Sequence, residues 1–127
     1  CHLEAPLSVA RAVLFHDAAI APRGGPKVDV IAAAKKDLRA GETLDGLGGY
    51  MTYGLAEKSE ITHAQRLLPI GLGEGCRLKR DVAKDAVLTY DDVELPSGKV
   101  SVALRREQDV RFWASSPIPA AAAGTLV

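Results

Sequence analysis

The 127 residues leave room for one domain with a modest core, which excludes a cofactor domain and a substrate domain side by side. Sixteen basic and sixteen acidic side chains cancel to a net charge of zero, so the charge balance carries no footprint for nucleic acid or an anionic membrane. A hydrophobic share of 47 % with 25 % charged residues is that of a folded chain and excludes wholesale disorder.

Leu3, Leu7, Ala10, Val13 and Leu14 recur at three and four, which predicts a helix with one apolar stripe, and Pro6 suits its first turn. Because the chain opens on Cys1 without an initiator Met, this helix is expected to be the tail of a preceding domain, the chain being a C-terminal fragment. Residues 18–27, with Pro22, Gly24, Gly25 and Pro26, read as a linker. Residues 28–34 read as a strand and 39–42 as a turn in which Gly41 supplies a positive φ. Gly46, Gly48 and Gly49 interrupt any regular element before a short β-like piece at 50–53. A helix is expected over 62–68, where Ala64, Leu67 and Leu68 share a face and Pro69 stops it. A glycine-punctuated loop follows at 68–75, then strands at 76–80 and 86–88. Thr89 and Asp92 have the spacing of a turn capped in both directions. Residues 100–104 alternate as a strand would and 104–113 could be helical, so that boundary stays open; 117–127, rich in Pro and Ala, read as a frayed tail. The expected division is 1–26 as upstream helix and linker, 27–113 as the domain, and 114–127 as a flexible tail.

One stretch is written nearly twice. Lys35-Lys36-Asp37-Leu38-Arg39-Ala40-Gly41-Glu42-Thr43-Leu44 recurs as Lys79-Arg80-Asp81-Val82-Ala83-Lys84-Asp85-Ala86-Val87-Leu88. Each copy predicts two extended segments joined at a tight corner, with Gly41 and Asp85 at the bends, since Asp tolerates the left-handed region better than most residues. The fold class expected from this grammar is a small, mainly β (α+β) module with short helices. No nucleophile or metal-ligand set accompanies the repeat.

Residue types that carry chemistry are thin elsewhere. Cys1 and Cys76 suit two reduced thiols, and nothing resembles a signal peptide or a membrane span, so a cytoplasmic location and no membrane partner are the expectations. Gly71, Gly73 and Gly75 precede a predicted strand with no Lys-Ser/Thr behind them, which favours a connecting loop over a phosphate cradle. His2, His16 and His63 have no spacing that places two on one helical face, and no serine lies in a nucleophile elbow. His63 is expected on a short surface helix. Asp91, Asp92 and Glu94 read as turn-capping acids rather than an acid–base pair. Lys35, Lys36, Lys79 and Arg80 are either strand side chains reaching solvent or basic pairs flanking one surface that approaches an anion. Tyr50 and Tyr53, among glycines, suit either core packing or a domain or subunit contact. Neither a catalytic residue nor a metal or cofactor ligand is expected in this chain.

The doubled phrase resembles the signature of the SAF domain, a β-clip module known from sialic acid synthase, sugar-acid dehydratases and periplasmic flagellar and pilus assembly proteins; residues 76–93 match it best. Lys36-Asp37-Leu38, Leu44-Asp45-Gly46, Gly48-Gly49-Tyr50, Tyr53-Gly54, Leu68-Pro69-Ile70-Gly71-Leu72 and Leu78-Lys79-Arg80-Asp81 occur in an order similar to the C-terminal domain of homoserine-dehydrogenase-like oxidoreductases. That group includes the deoxyxylulose-phosphate-reductoisomerase-like enzymes, which bind NADPH. Residues 2–7 look like the helix closing their catalytic domain, so the likeness covers roughly 1–109. Asp85 departs from the glycine the module usually carries. The resemblance implies a SAF-type accessory domain that supports oligomerisation, domain packing or active-site covering, with NADP or NAD held upstream. The implied partners are the upstream dinucleotide-binding and catalytic domains and further copies of the chain. It also puts His2 at the junction with the catalytic domain and gives the basic pairs an anionic substrate or cofactor to approach. The isolated chain is expected not to turn over substrate. The alternative it implies is a standalone binding or assembly module of the flagellar or pilus type.

Overall fold

The structure is a computed structural model that describes residues 2–18, 20–21 and 24–119. Its elements in chain order are α1 (Ala5–Phe15), β1 (Val28–Ala34), β2 (Thr52–Lys58), α2 (Ser59–Ala64), α3 (Ile70–Gly73), β3 (Arg77–Leu78), β4 (Val93–Glu94) and α4 (Val100–Trp113). The α+β class stands. Helices hold more residues than strands, so the chain is not mainly β: beyond the seven-residue β1–β2 pair its β structure comes as single bridges and one two-residue pair.

β1 pairs antiparallel with β2, Ile31 opposite Leu55. Its other edge is shared between Leu68 and Leu88: the Ala32 N–H donates to Leu68 (2.8 Å), Leu68 to Leu88 (2.9 Å) and Leu88 back to Ala32 (2.9 Å). Three chains meet there because Ala32, Ala33 and Ala34 are small enough to be buried on both faces of the strand.

The repeat forms the centre. Leu38 and Val82 exchange both backbone hydrogen bonds (2.8 and 2.9 Å). The Asp37 carboxylate accepts the Lys84 N–H at 2.8 Å, and the Asp81 carboxylate accepts the Ala40 N–H at 2.8 Å. The Gly41 N–H donates to Leu78 and the Asp85 N–H to Ala34, both at 2.8 Å. Swapping the copies maps each bond onto its counterpart, so the two corners are related by a local pseudo-two-fold. Gly41 (φ 87°) and Asp85 (φ 64°) both take the left-handed bend expected of them. Leu38, Leu44, Leu68, Leu78, Leu88, Tyr90 and Val93 fill the core around the corners.

Several boundaries differ from the sequence reading. The helix expected at 62–68 is α2 at Ser59–Ala64; it ends where Arg66 turns left-handed (φ 57°), so that Leu67 can bridge Thr89 as extended chain. The β-like piece at 50–53 starts at Thr52 and runs on to Lys58. The loop at 68–75 contains the single turn of α3, whose Leu72 and Gly73 are buried. Only Arg77–Leu78 of the strand expected at 76–80 enters a ladder, and 86–88 contributes the Ala33–Val87 bridge, since each corner is too short for more. Residues 100–104 are the start of α4 rather than a strand, because Val102 alone turns inward there. Of the expected frayed tail, Pro117 and Ile118 are buried and Arg106 donates to the Pro119 carbonyl (2.5 Å); 120–127 lie outside the described residues, as do Cys1 and Pro22.

Candidate functional site

The corners place their basic pairs at opposite ends of the Leu38–Val82 contact. At one end Asp37 holds the backbone of Lys84, which sets Lys36 and Lys84 in one exposed region. Neither ammonium group is in an ion pair among the described residues. Lys35 there donates to the Gly49 carbonyl at 2.5 Å. The Tyr53 hydroxyl donates to Asp85 at 3.2 Å; burial first, then that bond and the Asp85 charge, raise its pKa. Tyr50 stands 87 % exposed at the tip of the 45–51 loop, so its ring is no part of the core.

That loop is shaped by Asp45, whose carboxylate accepts the N–H groups of Tyr50 (2.5 Å) and Met51 (3.2 Å). A Cβ on Gly49 would lie 2.3 Å from the Asp45 carboxyl carbon, so a side chain there would push the Asp45 carboxylate off the Tyr50 and Met51 N–H groups. At the other end Arg80 is paired with Asp92, and Arg39 reaches Asp81 at 3.0 Å. Asp92 is buried and closes the expected turn, accepting from the Thr89 N–H (2.7 Å) and hydroxyl (2.8 Å) while Thr89 accepts from the Asp91 N–H (3.3 Å). Burial opposes ionisation of Asp92, but Arg80 and the Thr89 bonds outweigh it and lower its pKa. Lys79 is exposed and its N–H donates to Asp92 (2.8 Å). At the second end both arginines are thus paired and Lys79 is left without an ion pair among the described residues, while at the first Lys36 and Lys84 are both unpaired beside the exposed Asp37 and Asp85.

A second polar group went unseen in the sequence. Arg105 on α4 grips Asp29 of β1 with two parallel bonds (2.6 and 2.9 Å) and Asp109 one turn on at 3.0 Å; Asp109 also accepts from the Ser116 hydroxyl at 2.9 Å. The Arg105 and Asp29 side chains are only 11 % and 12 % exposed and that of Asp109 is fully buried, so the charges must be paired. Burial pushes the Asp29 pKa up, yet the Arg105 bonds and charge win and hold it below the usual value. Arg105 itself is raised, its desolvation outweighed by Asp29 and Asp109. The Ser59 hydroxyl lies near Asp29 without completing a hydrogen bond. His63, placed on α2 as expected, is half-buried: its ring stacks on Trp113 (4.8 Å between centroids), and its Nε2 is 3.0 Å from the Ser115 carbonyl. The Arg105/Asp109 spacing was a readable sign of a helical ion pair; the link to Asp29 was not.

Third is the surface of α1, where no residue is buried. Only Ser8 and Arg11 are polar in the helix, and Leu7, Val9, Val13, Leu14 and Phe15 are each more than 60 % exposed, so apolar side chains lie all round it. A helix of that composition is normally enclosed by protein. His2, Ala5, Pro6, Val9 and Val13 line an open apolar groove on it, which places His2 beside α1 and far in sequence from the basic ends. Burying one such Leu or Phe side chain is worth roughly 1.5–3 kcal/mol.

Chemically, these three regions can hold an anion, an internal ion cluster and an apolar partner. Among the described residues no three His, Cys, Asp or Glu side chains gather as metal ligands, and no helix is long and apolar enough to cross a membrane. Neither a protein-family model nor a curated protein matches the chain.

Proposed function

We propose that this chain is a SAF-type β-clip accessory domain at the C-terminus of an NAD(P)-dependent oxidoreductase of the homoserine-dehydrogenase-like or reductoisomerase-like kind. The observation that carries the reading is the reciprocal exchange between the corners, Leu38 with Val82, Asp37 accepting from Lys84 and Asp81 from Ala40, the wrapped geometry a β-clip requires. The oxidoreductase setting rests on the ordered motifs of 36–81. In this reading residues 1–26 belong with a catalytic domain that encloses α1, and 27–113 form the accessory domain that supports a cytoplasmic homo-oligomer. NADP or NAD is bound upstream. Of the two basic ends, the one carrying Lys36 and Lys84 is turned to the anionic substrate or cofactor, because both of those lysines are unpaired among the described residues, whereas at the other end Arg80 and Arg39 are paired and Lys79 alone is left.

Reading the gene upstream of Cys1 is the direct test. A strand, a Gly-x-Gly-x-x-Gly turn and a helix are expected there; an apolar export segment would overturn the reading in favour of a flagellar or pilus assembly module. In the whole protein, deleting 27–127 should change the subunit number or the steady-state rate of NAD(P)H oxidation. Retention of both would count equally against it.

A further inference from the structure

The ion cluster beneath α4 has an uneven setting. On this helix only Val102 and Asp109 are buried, while Val100, Leu104, Val110 and Phe112 remain exposed. Its backbone makes no extensive approach to another helix or strand. The attachment is completed by Ile118 from the following segment, by the Asp29–Arg105–Asp109–Ser116 chain and by the Trp113 ring on His63. The apolar attachment of α4 itself rests on Val102 in the core, on Trp113 and on the Phe112 ring against Gly25, and the ionic chain supplies the link to β1.

The surface it covers is polar as well. Ser59 and Thr62 lie one turn apart on α2, and Tyr90 sits close enough to Arg105, Asp109 and Asp29 for all three charges to act on its hydroxyl. The hydroxyls of Ser59, Thr62 and Tyr90 are buried with no hydrogen-bond partner among the described residues. A buried hydroxyl without a partner is penalised while covered and relieved when solvent reaches it. Ser59, beside Asp29, and Tyr90, beside Arg105 and Asp109, adjoin the latch, and such groups lower the cost of lifting the helix. The corners offer no such relief, since their Leu38, Leu44, Leu78 and Leu88 are sealed and their backbone groups are paired.

We propose that α4 and residues 114–119 form a releasable strap, latched by Asp29, Arg105, Asp109 and Ser116 over a hydroxyl-lined floor. The strap opens while the two corners stay closed. Opening presents the Asp29 carboxylate together with the Ser59 and Tyr90 hydroxyls.

Native-state hydrogen exchange on the whole chain tests this. The amides of 104–113 are expected to exchange about tenfold or more faster than those of Leu38, Leu44, Leu78, Val82 and Leu88. Asp29→Asn, which leaves Arg105 paired with Asp109 on its own helix and no longer tied to β1 by charge, should speed exchange in α4 by about a further tenfold and leave the corner amides unchanged. A single protection level shared by α4 and the corners in the wild type overturns the proposal without recourse to any variant. Equal acceleration of both regions by Asp29→Asn, or failure of that variant to fold, overturns it too, because the latch would then hold the whole body.

Discussion

The two copies of the corner make the same backbone bonds and differ in what surrounds them. At the bends, Gly41 has no side chain to place, whereas Asp85 accepts the cost of a left-handed Cβ and takes the Tyr53 hydroxyl. Behind the first copy, Asp45 reaches forward and shapes a loop whose tip exposes Tyr50; behind the second, Asp92 reaches back to Thr89 and is buried under Arg80. The lesson is a division of work: the reciprocal backbone exchange sets the shape, and the flanks are free to differ, one leaving Lys36 and Lys84 unpaired among the described residues and the other pairing both Arg39 and Arg80.

The sharpest way to break the equivalence is in the core. Leu38→Ala should cost about 2–5 kcal/mol in urea unfolding, and Val82→Ala clearly less, since a smaller side chain leaves a smaller cavity. A larger loss at Val82 would mean that the second corner carries the fold. The bends come next. Gly41→Ala should cost about 1–2 kcal/mol through backbone conformation, because a Cβ there meets nothing closer than the Arg77 guanidinium at 3.8 Å. Asp85→Gly should leave the urea midpoint level or raise it, the relief of φ offsetting the lost Tyr53 bond; a clear loss would show that Asp85 is kept for that bond.

Acid should separate the flanks by a smaller margin. Asp29 and Asp92 are held below their ordinary values, Arg105 and Arg80 outweighing the opposing burial. Their stabilisation is therefore complete above the unfolded-state value of about 3.9 and is lost as pH falls through the lowered folded values. The urea midpoint should drop below about pH 4, and Asp92→Asn should make that drop shallower; an unchanged slope would remove Asp92 from the acid response. Tyr53→Phe should have the smallest effect, a slight fall in Tm no greater than that of Asp85→Ala. A greater fall would make the first end structural rather than available for binding.

Much of the fold was legible where the signal is local. Val28–Ala34 shows its strand character, and Thr89 with Asp92 its capped turn, because the interacting groups are neighbours in the chain. Residues 100–104 misled because five residues with Val at alternate positions fit either period, and the choice was made by Arg105, which reaches Asp29 and Asp109 together from a helix. The stop expected at Pro69 came earlier because Leu67 and Leu68 are needed as extended chain beside Thr89 and Leu88. Among the candidate residues, Lys36, Tyr50 and Lys79 are exposed as an interaction role requires, Arg80 is committed to Asp92, and the separation of the two basic pairs was not visible in their spacing.

By itself the sequence determined the repeat, its two bends and the apolar girth of α1, since backbone conformation at Gly41 and Asp85 and the hydrophobicity of one helix depend on residues close in the chain. Only the tertiary structure decided that the copies grasp each other, that their basic pairs point apart, and that Asp29 closes on Arg105. Those outcomes join segments far apart along the chain, and which distant donor meets which acceptor is set by how the core packs rather than by any local preference.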